Sequence, residues 1–145
     1  MSHSPQTSDV ELQARLIKLN QQLLDSIVNL DYETYDRLCA DDMSCMEPES
    51  NQTVVVGKSF HKYYFDVYGN KGECSERTSK PIPTNVTMVQ PHVQLLRGGT
   101  GAILSYIKLV QQRERTVQQS ETRVWELRDG HWLNIHFHKS PPASP

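Results

Sequence analysis

Three strand-like stretches of this chain each carry a cation on the side that strand alternation would bury. Successive side chains of a strand point to opposite faces. Lys108 therefore shares a face with Leu104 and Tyr106, Arg123 with Trp125 and Leu127, and Lys139 with Ile135 and Phe137. Because an unpaired buried charge costs several kcal/mol, a fold built from these strands must supply either internal carboxylate partners or a pocket meant for an anion.

At 145 residues and 37% hydrophobic content, the chain fits one globular domain whose core is large enough to stand without staples. A net charge of -2, with Lys and Arg scattered along the chain, argues against nucleic acid and acidic membranes as partners. Cys39, Cys45 and Cys74 are odd in number and lack metal-ligand spacing. They suit reduced thiols in a cytosolic protein better than a disulfide framework. No apolar run is long enough to span a bilayer, and no charged start precedes a hydrophobic segment. The expectation is a soluble, cytoplasmic protein without a cofactor.

Residues 1–8 and 141–145 are poor in apolar residues and contain proline, so both read as disordered tails around a domain spanning 9–140. Within it, Leu12, Leu16, Leu19, Leu23, Ile27 and Leu30 recur at spacings of three and four, the stripe of a long amphipathic helix capped by Ser8 or Asp9. Asp31 offers the cap of a short second helix reaching about Leu38. Short β-like runs follow from about Met43, including Thr53-Val54-Val55-Val56, and then a helical segment carrying Phe60, Tyr63, Tyr64 and Val67. Gly69 to Lys80 reads as a mobile polar loop. Val86 to Leu96, Ala102 to Gln111, Gln118 to Arg128 and His131 to Lys139 read as successive strands. Asp129-Gly130 is a two-residue hairpin signal, and Arg97-Gly98-Gly99-Thr100-Gly101 marks another reversal. The class is α+β, most economically a curved antiparallel sheet wrapped on the first helix.

Several runs carry a specific likeness: Met46-Glu47-Pro48-Glu49, Phe60-His61-Lys62-Tyr63-Tyr64-Phe65, Pro91-His92-Val93, Gln119-Ser120-Glu121-Thr122-Arg123-Val124-Trp125, and Arg128-Asp129-Gly130-His131-Trp132 with His136-Phe137-His138-Lys139. Through them the sequence, from about Val10 to Ser140, resembles the association (hub) domain of calcium/calmodulin-dependent protein kinase II, within the cone-shaped nuclear transport factor 2-like superfamily. The resemblance implies self-assembly into two stacked rings, a homo-oligomeric scaffold that brings kinase subunits together. A kinase subunit carrying a similar hub is then a further expected partner. The chain shows no Gly-rich nucleotide loop and no catalytic-loop motif, and too little sequence precedes Asp9 to hold a kinase, so it is expected not to be one. Residue patterns do not encode the number of subunits per ring. Calmodulin binding is not expected either, since the first helix has few basic residues and uses its stripe for the core.

The resemblance also implies an interior pocket suited to small carboxylates, with its basic positions falling on His61, Lys108, Arg123 and Lys139. Tyr106 shares the face of Lys108 and joins that set. Lysine at 108 and 139 departs from the arginines of the family and lacks the fork that grips a carboxylate through two bonds. The alternatives are an internal salt-bridge network with Glu47, Glu49 or Glu121, or long side chains reaching solvent at a rim. His61, Tyr106 and Glu47 are the groups that a catalytic cavity would use, as in isomerases, dehydratases or cyclases of related shape, but no base and nucleophile stand at a diagnostic spacing. His136 and His138, with His92, hint at a metal, yet their spacing is weak and neither Cys39 nor Cys45 is placed by sequence to complete a ligand set. The expectation is no metal and no catalytic residue. Trp132, Asn134, His136 and His138 read instead as one mixed strand face, the first candidate for a subunit contact.

Overall fold

A computed structural model describes residues 7–69 and 84–143. Cys74 and the stretch 70–80 of the expected mobile loop lie outside the described residues, as do 1–6 and 144–145 of the expected tails. The elements run α1 (Thr7–Val28), α2 (Tyr32–Leu38), β1 (Cys39–Met46), a 3-10 turn (Pro48–Ser50), β2 (Val54–Val56), α3 (Ser59–Gly69), β3 (Asn85–Leu95), β4 (Gly101–Gln112), β5 (Arg115–Arg128) and β6 (His131–Lys139).

Helix α1 begins at Thr7, so Ser8 and Asp9 sit inside it instead of capping it. Its fully buried positions are Leu16, Asn20, Leu23 and Leu24, with Leu12, Leu19 and Ile27 packed alongside. Asp31 caps α2 as expected, its carboxylate accepting from the Thr34 amide at 3.2 Å.

The six strands form one sheet in the order β2-β1-β6-β5-β4-β3. Strands β3 to β6 are the expected antiparallel meander, but β1 runs parallel to β6, so the sheet is mixed at that edge. Asp129 and Gly130, at φ 49° and 79°, make the tight β5–β6 turn whose backbone needs positive φ at both positions. The alternating pattern predicts strands that end at Gln111 and resume at Gln118, whereas the β4–β5 ladder runs on through Val110–Val117 to Gln112–Arg115. Backbone pairing carries that ribbon past the point where its apolar pattern stops. The C-terminal segment also stays on the sheet, with the Ala143 and Gln118 backbones exchanging two hydrogen bonds of 2.8 Å.

A bulge sets the site. Strand β6 pairs Asn134 with Trp125 and His136 with Val124, so Ile135 is the extra residue. An extra residue reverses the alternation beyond it. Trp132 and Asn134 therefore point inward before the bulge, and Phe137 and Lys139 point inward after it. The expected face of Trp132, Asn134, His136 and His138 is not one face: the first two are buried in the core, while His136 and His138 lie on the other side. Likewise Ile135 does not share the inward side with Phe137 and Lys139. Asn134 holds the bulge by donating to the carbonyls of Val124 and His136, both at 2.9 Å. Strand β3 carries a similar shift between Val89 and His92, with Gln90 at φ 52°.

Helix and sheet are joined at the centre, where the Trp125 indole N–H donates to Asn20 Oδ1 at 3.0 Å with both side chains fully buried. Substituting Asn20→Leu keeps the branched shape but leaves that donor unpaired. The stability loss expected is about 1–3 kcal/mol, read as a lowered urea midpoint at fixed protein concentration.

Candidate functional site

Alternation along β4 and β5 turns Tyr106, Lys108, Glu121 and Arg123 onto the inward face, and the β6 bulge adds Lys139. Glu47 arrives just beyond β1, and His61 from the first turn of α3. The structure thus brings His61, Tyr106, Lys108, Arg123 and Lys139 to one interior region, arranged around two buried carboxylates.

Glu121 is the first centre. Arg123 donates to it from Nε at 3.3 Å and from Nη2 at 3.4 Å, Lys108 Nζ lies at 3.4 Å, and the Tyr106 hydroxyl donates to Oε2. Arg123 spends its remaining contacts on Asn134 Oδ1, at 2.7 Å, and on the face of Phe137, 4.3 Å from the ring centre. Burial pushes the Glu121 carboxyl up, but Arg123, Lys108 and the Tyr106 hydrogen bond outweigh it and bring the pKa down to about 2. Burial would lower Arg123, yet Glu121 raises it well above its ordinary value. Burial and the Glu121 charge raise Tyr106, so it serves as a hydrogen-bond donor. Lys108 is lowered by burial, partly offset by Glu121.

Glu47 is the second. Its Oε1 lies 2.8 Å from His61 Nε2 and its Oε2 lies 3.3 Å from Lys139 Nζ, which also meets Glu49 at 3.2 Å. Burial of Glu47 is outweighed by the His61 hydrogen bond and the Lys139 charge, so its pKa falls to about 2. Lys139 is lowered by burial but raised overall by Glu47 and Glu49. Cys45 Sγ stands 3.7 Å from His61 Nε2 and 3.9 Å from Glu47 Oε1, its pKa pushed to about 12 by burial and the Glu47 charge.

The internal salt-bridge alternative thus describes every one of the three cations, with Glu47, Glu49 and Glu121 as their partners. One chemistry is disfavoured by geometry. A nucleophile, base and orienting acid require the base to use its two ring nitrogens separately. Here Cys45 and Glu47 meet the same nitrogen of His61. The surface histidines do not converge, since β4 and β5 stand between His92 and His138, and His136 Nδ1 is 2.7 Å from Ser44 Oγ. An open groove of about 390 Å³ lies over Ser105, Ile107, Ser120, Thr122 and His138; Tyr106 and Glu121 also border it, while Lys108, Arg123 and Lys139 do not.

Sequence reading missed Asn20 and Lys58. Asn20 breaks an apolar stripe and carries no signal of its own. Lys58, a buried cation paired with Asp36 and Asp41 at 2.5 and 2.8 Å, ties the start of α3 to α2 and β1. Its partners are distant in sequence, so no local pattern marks it.

The two depressed carboxylates make stability pH-dependent. Unfolded, each binds its proton near the ordinary value of 4.5, whereas folded it does so only near 2. Their contribution is therefore complete above about pH 5 and lost as the pH falls towards 2. Urea midpoints should drop through that window, and Glu47→Gln should flatten the slope; a flat wild-type profile would contradict the arrangement.

The model of the calcium/calmodulin dependent protein kinase II association domain matches residues 12–143. The chain is 36% identical to the delta subunit of calcium/calmodulin-dependent protein kinase type II from Oryctolagus cuniculus, over 94% of this chain but 27% of that protein. Among solved structures it is similar to the hub homology domain of Chlamydomonas reinhardtii, at 38% identity and TM-score 0.75, covering 88% of this chain and 96% of that one. It is also similar to the association domain of C. elegans, at 32% and 0.79, covering 94% and 100%. More distant nuclear transport factor 2-like structures, such as one from Cytophaga hutchinsonii at 20% and 0.65, share the fold alone. A polar interior held by Arg123 and Glu121 inside this mixed sheet, with these matches across nearly the whole chain, places it in the calcium/calmodulin-dependent protein kinase II association domain family.

Proposed function

We propose that this chain is an oligomerisation hub whose copies close into a large two-ring assembly. The match to association and hub domains over nearly its whole length carries this reading. The surface supports it. Along α3, Phe60, Tyr63, Tyr64, Val67 and Tyr68 are exposed at helical spacing, and on β2 Val54 and Val56 are exposed as well. So much exposed aromatic and aliphatic surface on a chain of this size suits contacts between copies. Closed symmetry is the usual way to satisfy repeated interfaces. His136 and His138, on the outer face, remain contact candidates, whereas Trp132 and Asn134 act from the core. A kinase subunit with a similar hub is the natural co-assembling partner, and the cytoplasm the natural setting.

The interior supports a second role in the same molecule, as a small-carboxylate pocket. Lys108 and Lys139 each carry three donors, and Lys108 has one carboxylate contact among the described residues, at 3.4 Å. The third anion of the cluster is Glu49, whose side chain is 58% exposed. A ligand carboxylate takes its place on Lys139 and draws on the spare donors of Lys108. Arg123, held by Glu121, Asn134 and Phe137, frames the pocket.

Native mass spectrometry of the purified chain should find a mass of many subunits, and Tyr63→Glu should shift it towards smaller species. A stable monomer at micromolar concentration would defeat the hub reading. For the pocket, millimolar butyrate should raise the melting temperature through preferential binding to the folded state, with the rise lost in Lys139→Gln. An unchanged curve for the wild-type protein would dismiss it.

A further inference from the structure

The carboxylate pocket uses Oε2 of Glu47 through Lys139; the other oxygen faces a different set of atoms. Cys45 Sγ, Glu47 Oε1 and His61 Nε2 form a triangle with sides of 3.9 Å (S to O), 3.7 Å (S to N) and 2.8 Å (O to N). All three donor atoms lie within 4.8 Å of one another in a buried region. We propose that Cys45, Glu47 and His61 form a binding site for a thiophilic divalent cation of the zinc class, with one coordination position left for water.

The dimensions suit it. Tetrahedral zinc with bonds of about 2.3 Å to sulfur and about 2.0 Å to nitrogen and oxygen requires donor separations of about 3.5 Å to sulfur and about 3.3 Å between nitrogen and oxygen. Each side of the triangle thus needs to move by about half an ångström or less to meet those separations. The supports are rigid. Cys45 and Glu47 are two residues apart on one side of the β1 end, and the His61 ring is held between Phe60 and Phe137, each with its centre 5.4 Å away. His61 Nδ1 is buried without a hydrogen-bond partner. Moving the ring proton from Nε2 to Nδ1 gives up the Nε2 contacts to Glu47 and Cys45, which the metal replaces, and leaves the Nδ1 proton without an acceptor among the described residues.

Charge defines the class of cation. Binding a divalent ion releases the Cys45 thiol proton to solvent, forms one metal–sulfur bond and changes no oxidation state, so the site gains one positive charge. Around Cys45 the negative charge of Glu47 is set against the positive charges of Arg123 and Lys139. A hard cation such as Mg²⁺ or Ca²⁺, which seeks six or more oxygens, finds too few here and is repelled. Zn²⁺, Cd²⁺ or Co²⁺ gains enough from thiolate and imidazole to offset that repulsion.

Co²⁺ is the probe, titrated into the 145-residue chain with a non-thiol reductant. The expected result is a thiolate-to-cobalt absorption band together with the intense visible bands of tetrahedral cobalt. Cys45→Ala keeps a small buried side chain and should abolish the band, with Co²⁺ binding weakened by about tenfold or more, as for the loss of a ligand-shell group. A wild-type spectrum of weak octahedral bands overturns the proposal, as does a thiolate band that survives in Cys45→Ala. As an independent check, Zn²⁺ should raise the melting temperature of the wild-type chain and not of His61→Gln; no rise, or an equal rise in both, overturns the proposal. Neither readout depends on the native mass, so the hub reading and this one stand or fall separately.

Discussion

An arginine with 1% of its surface exposed governs much of this molecule. Arg123 sits mid-strand in β5, where its neighbours on the same face are Glu121 and Trp125. The positive charge is tolerable there only because every direction around it is answered: Glu121 on one side, Asn134 Oδ1 at 2.7 Å on another, and the Phe137 ring at 4.3 Å. Each of those answers imposes something further. Glu121 must itself be satisfied, which recruits Tyr106 and Lys108 from β4. Asn134 must face inward, and Phe137, three residues on, must face inward too.

Two inward side chains three residues apart do not belong to a regular strand, and the Ile135 bulge is how β6 reconciles them. Asn134 stabilises that irregularity with its own amide while its oxygen holds Arg123. The same shift of phase delivers Lys139 to Glu47, and Glu47 brings in His61 from α3. The polar interior thus holds two neighbouring arrangements, one around Glu121 from β4, β5 and β6 and one around Glu47 from the end of β1, α3 and β6. Removing a single member would expose several others to unpaired burial.

Its chemistry is accordingly that of holding anions and fixing geometry. Tyr106 is kept protonated by its surroundings, and His61 offers Cys45 and Glu47 a single nitrogen between them. Such a core is compatible with a rigid domain that presents its exposed α3 aromatics outward and keeps its charged side chains paired within.

The residue pattern by itself determined the element order, the cap at Asp31, the tight turn at Asp129-Gly130 and the inward placement of Lys108 and Arg123. These depend on periodicity and turn chemistry, which are local. Runs such as Glu121-Thr122-Arg123-Val124-Trp125 also carried the family. Tertiary structure alone decided the parallel β1–β6 pairing, the phase of β6 beyond Ile135, the burial of Asn20 and Lys58, and the convergence of Cys45 with Glu47 and His61. A bulge is one extra residue whose cost is repaid by cross-strand contacts, and a buried polar side chain is acceptable only when a distant partner meets it. Neither condition can be evaluated within a sequence window, because the partners that satisfy it lie on other elements brought close only by the fold.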